Sequence, residues 1–296
     1  KNWVEVVSTE TNLSFSQLDT WDCEATLTDT QVIEMCASGY LFLEAAVPDA
    51  INRRVIDFLS GNIAIEHQPT ELLFEDWFVE NVILNPAVAG AIRSLLGRNF
   101  HLPKLMSNHR TECPQAAQNW HMDGAPIEWT PELNFLHVFY YPQDTPAEMG
   151  PTEILPGSHL MKNGSRAMPH LGQIRNGFLT TAPAGSIFLT PYKIWHRRAA
   201  ATGTGVRHLL KYFYWRTQEP QRDWIREDID FKNADFSGYS KGMGEAHFGT
   251  IGACEMYCWL CGKGNAFEFK GGQAWPLQGN RKEGPFWGYP KEMENA

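Results

Sequence analysis

The sequence predicts a mainly β domain, a sandwich or barrel of short strands with helices buttressing it. Three observations point there. After residue 100 the chain breaks into short aromatic and β-branched runs, WHMDG, LNFLHVFYYP, PTEILPGSH, GSIFLTPYKIWHRRA and RHLLKYFYWR, with Pro, Gly, Asn and Asp between them. Such runs are the mark of many short strands closing on one another. Before residue 100 the punctuation is helical instead. Finally, 296 residues with 43% hydrophobic and 12% aromatic content supply a real core, which excludes global disorder.

The elements follow in order. In LTDTQVIEMCASG, Thr28 or Asp29 can cap a helix carrying Val32, Ile33 and Cys36 at helical spacing, stopped near Gly39. YLFLEAAV then reads as a strand, and PDAINRRVIDFLSG as a second amphipathic helix with Pro48 near its start. ELLFEDWFVENVILNPAVAGAIRSLLG reads as helical in pieces, ending at Gly97. No repeat or low-complexity linker separates the parts. Residues 1–296 are therefore expected to form one domain, with a helical part to about 100, a β core over about 100–217 and an irregular Gly-rich extension over 218–296.

Composition narrows the function. The net charge is −9 and no basic stripe is present, which argues against nucleic acid as a partner. No stretch approaches the roughly 18 apolar residues of a membrane span. Six cysteines are too few for a disulfide scaffold in a chain of this length, so a reduced, cytoplasmic protein is expected. KNWVEVVSTETNLSF has no basic-then-apolar signal pattern, and the start at Lys1 suggests that a short leader or tag has been trimmed.

The chemistry-bearing stretch is NWHMDGAPIEW, residues 119–129. In a strand, residues i and i+2 share a face. His121 and Asp123 can therefore reach one ion together, and the best candidate for a third ligand is His196 of YKIWHRR. The plain alternative is a His–Asp hydrogen bond at a strand end. Two histidines and one carboxylate on one side of a metal leave the opposite positions free, the arrangement of non-haem Fe(II) oxygen chemistry. ATGTG at 201–205 reads as a hairpin turn that returns Arg207 beside the strand of His196, where its guanidinium fork suits a carboxylate. Arg197 and Arg198 read as surface charges, His159 as a turn residue, and His137 as a residue that can face the cavity and touch substrate.

WHMDG, GPTEILPGSH at 150–159, and WH followed eleven residues on by Arg207 resemble the phytanoyl-CoA dioxygenase family of Fe(II)/2-oxoglutarate-dependent oxygenases. The opening LTDTQVIEMCASGYLFLEAAVP resembles that family's entry, and the likeness runs over roughly residues 27–217. It implies a double-stranded β-helix, a cupin-like jelly roll. It also implies Fe(II) held by His121, Asp123 and His196, the distal carboxylate of 2-oxoglutarate held by Arg207, and polar contacts to that co-substrate from Thr152 and Asn119. The implied reaction consumes O₂, converts 2-oxoglutarate to succinate and CO₂, and oxidises a C–H bond of a small-molecule substrate. Relatives that halogenate carry a small residue in place of the aspartate; Asp123 is present here, so hydroxylation is expected.

Two other classes compete. One is a metal-binding jelly roll without oxygenase activity, a sensor or binding module. The other is an iron–sulfur radical enzyme built on Cys254, Cys258 and Cys261 of CEMYCWLC, with Cys113 or His247 as a fourth ligand. The second is disfavoured because only 35 residues follow the motif, too few for a barrel of roughly 200 or more residues. Three half-buried thiols are the expected reading, and Trp259, Phe267 and Trp275 are candidates for covering the mouth of the site.

Overall fold

Thr28 starts the first helix, α1 (Asp29–Ser38), with a capping box: its hydroxyl accepts from the Gln31 N–H, and the Gln31 side chain accepts from the Thr28 N–H. In the computed structural model, which describes residues 14–62, 64, 66–123, 130–161, 167–227 and 243–263, α1 ends at Gly39, whose φ is 77°. The left-handed region favours glycine, and a Cβ here would also overlap the His159 imidazole. Helix α2 (Asp49–Gly61) follows Pro48, then a single turn α3 (Asp76–Phe78), then α4 (Pro86–Leu96). Asn85 caps α4 through the Ala87 N–H, with Pro86 in its first turn and Gly97 at its end.

The strands are β1 (Thr20–Trp21), β2 (Leu41–Leu43), β3 (Phe100–His101), β4 (Ser107–Asn108), β5 (Thr111–Gln115), β6 (Phe135–Tyr141), β7 (Thr152–Ile154), β8 (Phe178–Leu179), β9 (Ser186–Thr190), β10 (His196–Arg198), β11 (Ala201–Arg207) and β12 (Leu210–Trp215). The larger sheet runs β1–β3–β12–β6–β9–β2, with β4 also on β12; β10–β7–β8 and β11–β5 form two smaller sheets. All these pairs are antiparallel, and the fold is the jelly roll that the sequence resemblance implied.

Strand parity explains where the site sits. Leu136, Val138 and Tyr140 of β6 pack with Val32, Val55 and Val88 of the helices. The alternate residues Phe139 and Tyr141 pack inward with Ile154, Phe188 and Ile194. On β12, Leu210, Tyr212 and Tyr214 likewise belong to the helix-facing core. His137 and Lys211 therefore fall on the inward face, where a purely structural core would carry apolar side chains.

The stretch expected to be irregular contains an 18-residue helix, α5 (Met243–Leu260). Ala253, Met256, Tyr257 and Leu260 are buried at helical spacing. Its glycines hid it. A mid-helix glycine costs about 1 kcal/mol relative to alanine, but at Gly252 the missing side chain admits Leu160, whose Cδ2 would stand 3.2 Å from a Cβ. Phe267 and Trp275 lie outside the described residues. Among the described residues no helix is long and apolar enough to cross a membrane.

Asp29 ties this C-terminal part to α1. Fully buried, it accepts hydrogen bonds from Arg222 Nε (2.8 Å) and Nη2, Trp224 Nε1 (2.6 Å), the Glu227 N–H (2.6 Å) and the Tyr257 hydroxyl (2.8 Å). Burial pushes its pKa up, but these donors outweigh it and bring it from 3.8 down to about 2. A carboxylate with a lowered folded-state pKa contributes stability above its unfolded pKa and loses it as pH falls through the folded value. The shift corresponds to about 2 kcal/mol at neutral pH. Asp29→Asn is therefore expected to be less stable than wild type in urea unfolding at pH 7, with the gap shrinking by about 1 kcal/mol at pH 3. An equal gap at both pH values would show that the charge is irrelevant.

Candidate metal centre

His121 and His196 face each other across an isolated antiparallel bridge, each N–H donating to the other's carbonyl at 2.9 Å. Directly opposed residues project from the same face, and the two rings lie with centroids 4.5 Å apart. Asp123, two residues beyond His121, turns to the same side: its Oδ1 is 3.9 Å from His121 Nε2 and its Oδ2 is 3.4 Å from His196 Nε2. Among the described residues, these three form the set of ligand atoms that lies within 4.8 Å and can hold a metal ion. Trp120 anchors the segment. Its ring is buried against Met168 and Trp195, and its Nε1 donates to the Gly172 carbonyl at 2.8 Å.

The backbone fixes both tautomers. His121 Nδ1 donates to the Asn119 carbonyl (2.9 Å) and His196 Nδ1 to the Ile194 carbonyl (3.0 Å), so both Nε2 lone pairs point toward Asp123. The Asn119 side chain, expected at the co-substrate, is instead exposed and outside the cavity lining; its contribution is the carbonyl that aims His121. Burial and the neighbouring Lys211 ammonium lower the pKa of His196, despite the opposing pull of Asp123. Burial and Lys211 likewise hold His137 well below its ordinary value. Burial raises Asp123, but His196, Lys211 and His137 more than reverse this and keep it ionised. Neutral imidazoles and an ionised carboxylate are the protonation states that metal binding requires.

A cavity of about 140 Å³ adjoins the triad, lined by His121, Thr111, Thr152, Arg198, Arg207 and Lys211 among others. Thr152 is buried on β7, its N–H donating to the Tyr141 hydroxyl at 3.0 Å. Arg207 is only 1% exposed. Its Nη2 donates to Thr111 Oγ1 (2.9 Å) and the His109 carbonyl (3.2 Å), whereas Nε and Nη1 have no hydrogen-bond partner among the described residues. A buried guanidinium with donors to spare is a seat for an anion.

The route by which Arg207 arrives differs from the expected hairpin. ATGTG is not a turn: residues 201–207 run as one strand, β11, on β5, with Arg207 opposite Thr111 and a register shift between Ala201 and Gly205. Gly205 has a φ of 95°, so its glycine serves a bulge rather than a reversal. The expected surface position of Arg197 is also corrected. It pairs with Glu153 at 2.7 Å and stacks 4.7 Å over the Trp120 ring. Arg198 lines the cavity. His159 is buried and bonded to the Cys36 carbonyl at 2.9 Å, which makes it structural. His137 does face the centre, its Nδ1 3.4 Å from Asp123 Oδ2, with its ring stacked on Phe213.

The residue that the sequence reading missed is Lys211. Its Nζ lies 3.1 Å from Asp123 Oδ2 and 3.2 Å from His196 Nε2. The available signal was a lone cation inside the apolar run LLKYFYW; buried charges of that kind cluster at functional sites. The thiols Cys254, Cys258 and Cys261 are free and half-buried, and with Cys113 they form no such metal-capable set among the described residues. The His247 side chain lies outside the described residues. A second cavity, about 320 Å³, is lined by Asp123 with Met122, Phe135, Tyr192, Trp195 and Met256 among others.

A jelly roll carrying two histidines and one carboxylate beside a cavity lined by Arg207 fits a class, the iron- and 2-oxoglutarate-dependent oxygenases. The phytanoyl-CoA dioxygenase family pattern matches residues 24–209, more than half the sequence, and the chain belongs to that family. No curated protein matches it. Solved structures share its fold. HygX from Streptomyces hygroscopicus, with nickel and 2-oxoglutarate bound, aligns with TM-score 0.54 and 13% identity over 73% of this chain and 96% of that one. The non-heme α-ketoglutarate-dependent carbocyclase SnoK from nogalamycin biosynthesis aligns with TM-score 0.50 and 16% identity over 66% and 87%. The nickel complex of the non-heme monooxygenase ThoJ aligns with TM-score 0.51 and 16% identity over 76% and 95%. At these identities the likeness is one of fold. Iron and 2-oxoglutarate are the cofactor and co-substrate of the family, and the residues here fit both: the triad fits the metal, and the unpaired donors of Arg207 fit a carboxylate.

Proposed function

We propose that the protein hydroxylates an unactivated C–H bond of a small molecule, with 2-oxoglutarate converted to succinate and CO₂. The observation that carries this reading is the convergence of His121, Asp123 and His196 beside the cavity of Arg207. In this reading the three side chains hold iron, which with the keto acid and O₂ supplies the oxidant for the C–H bond. Arg207 grips the distal carboxylate of 2-oxoglutarate, and Thr152 lines the wall beside it. Asp123 fills the position that a halide would need, which favours hydroxylation over halogenation.

The substrate enters the larger cavity. Phe135, Tyr192, Trp195 and Met256 give it apolar walls, and Glu132, Asn134 and Lys193 offer polar anchors. Its volume of about 320 Å³ suits a small organic molecule. Support for that class comes from a HygX structure that holds hygromycin B at TM-score 0.52 and 12% identity. Six free cysteines fit a reducing cytoplasmic setting, and the Asp29 cluster fits the helical part, the jelly roll and α5 acting as one domain.

Anaerobic addition of Fe(II) and 2-oxoglutarate is expected to give a weak visible charge-transfer band, and air with a metabolite library is expected to release succinate for the matching substrate. A band without succinate for any compound would favour the non-catalytic binding module. A brown reconstituted protein without the band would favour the iron–sulfur alternative.

A further inference from the structure

β12 places Lys211 opposite Phe139 of β6, on the inward face of the larger sheet. Its ammonium lies 4.6 Å over the Phe139 ring, within hydrogen-bond distance of Asp123 Oδ2 and His196 Nε2. Those two atoms belong to side chains that can hold a metal. An ammonium and a divalent ion cannot share them, because two cations a few ångströms apart in a buried site repel strongly. Yet Lys211 is 6% exposed and cannot retreat to water, and a buried charge needs a partner. A partner can come from the small cavity that Lys211 already lines together with Arg207 and Thr152.

We propose that Lys211 both competes with the metal for Asp123 and His196 and binds its co-substrate, through the carboxylate that lies nearer those two residues. Lys211 and Arg207 then hold the two ends of one dicarboxylate. Phe139 supports the role by giving the ammonium an aromatic face to rest on. This inference rests on the iron and 2-oxoglutarate reading above.

The test uses Lys211→Met, which keeps the stem and removes the charge, and Lys211→Arg, which keeps the charge. Calorimetric titration with Ni(II), followed by 2-oxoglutarate titration of the Ni(II)-loaded protein, reads both affinities without turnover. In Lys211→Met, Ni(II) is expected to bind roughly tenfold tighter because its competitor is gone, a size typical for groups that contact metal ligands. 2-Oxoglutarate is expected to bind roughly tenfold weaker for want of a charge-assisted bond. Lys211→Arg is expected to keep Ni(II) binding near wild type, and it preserves the test should the methionine variant not fold. A residue that only packs would leave both affinities unchanged or weaken both, and either result overturns the inference alone. Ni(II)-loaded wild-type protein that takes up no 2-oxoglutarate overturns the functional reading on which it rests.

Discussion

Asp123→Ala is expected to bind Fe(II) at least a hundredfold more weakly and to release no succinate, while remaining folded. Three reasons set that size. In the proposed site Asp123 is the carboxylate ligand beside two imidazoles, so its loss removes both a bond and the charge that offsets the metal. It is also the group toward which both Nε2 atoms converge, at 3.9 and 3.4 Å. The loss of one protein ligand from a three-residue site exceeds the 10–100-fold cost typical of outer partners. The variant is expected to lose stability, because the buried Lys211 ammonium is left without its carboxylate. It is expected to keep its fold, because Asp123 is half-buried and the His121–His196 bridge is made by backbone groups. Iron binding and succinate release are the readouts, with circular dichroism as the control. Normal succinate release by this variant would remove Asp123 from the metal.

Much of this site was legible because strand geometry has a period of two. His121 and Asp123 needed only that parity to share a face, and the bridge to His196 supplied the third member. Less legible was what depended on register. ATGTG looked like a turn because glycines mark turns and bulges alike, and one sequence does not say which. In β11, Gly203 lies so close to the Glu148 carbonyl that a Cβ would be 3.1 Å from it, so its glycine answers to a tertiary neighbour. Arg207 still lines the cavity, but from a strand paired with β5 rather than from one returning beside β10.

The helices show the same divide. α1 announced itself through its local cap at Thr28 and its stop at Gly39, and α4 through its stop at Gly97. The apolar stripe of α5 is interrupted by Gly249 and Gly252, the latter placed for Leu160, about ninety residues earlier in the chain. Lys211 was hidden for a related reason. An alternating strand tells which residues share a face but not that the inward face is a reaction chamber, so a lysine there carries no local warning beyond its apolar neighbours.

Arg207→Ala is expected to weaken 2-oxoglutarate binding roughly a hundredfold while leaving metal affinity near wild type. The guanidinium holds two unpartnered donors, Nε and Nη1, in a 1% exposed position, and a bidentate charge-assisted pair at such a place is worth about 3 kcal/mol, or two powers of ten in affinity. Burial lowers its pKa from the ordinary value, and nearby Tyr141 partly offsets this, yet an arginine remains charged at neutral pH. The stability consequence is smaller than that of most buried truncations. Without co-substrate the orphaned donors are a cost, so the variant is expected to melt close to wild type despite its lost packing. Ligand-induced stabilisation separates the two effects, because a co-substrate that binds only the folded state raises the melting temperature in proportion to the logarithm of its concentration over Kd. Wild-type protein loaded with Ni(II) should gain several degrees from millimolar 2-oxoglutarate and the alanine variant almost none, with Arg207→Lys intermediate because it keeps the charge and loses the fork. If the alanine variant gained as much as wild type, the carboxylate would have to be held elsewhere in the cavity, and Arg198 would be the next cation to test.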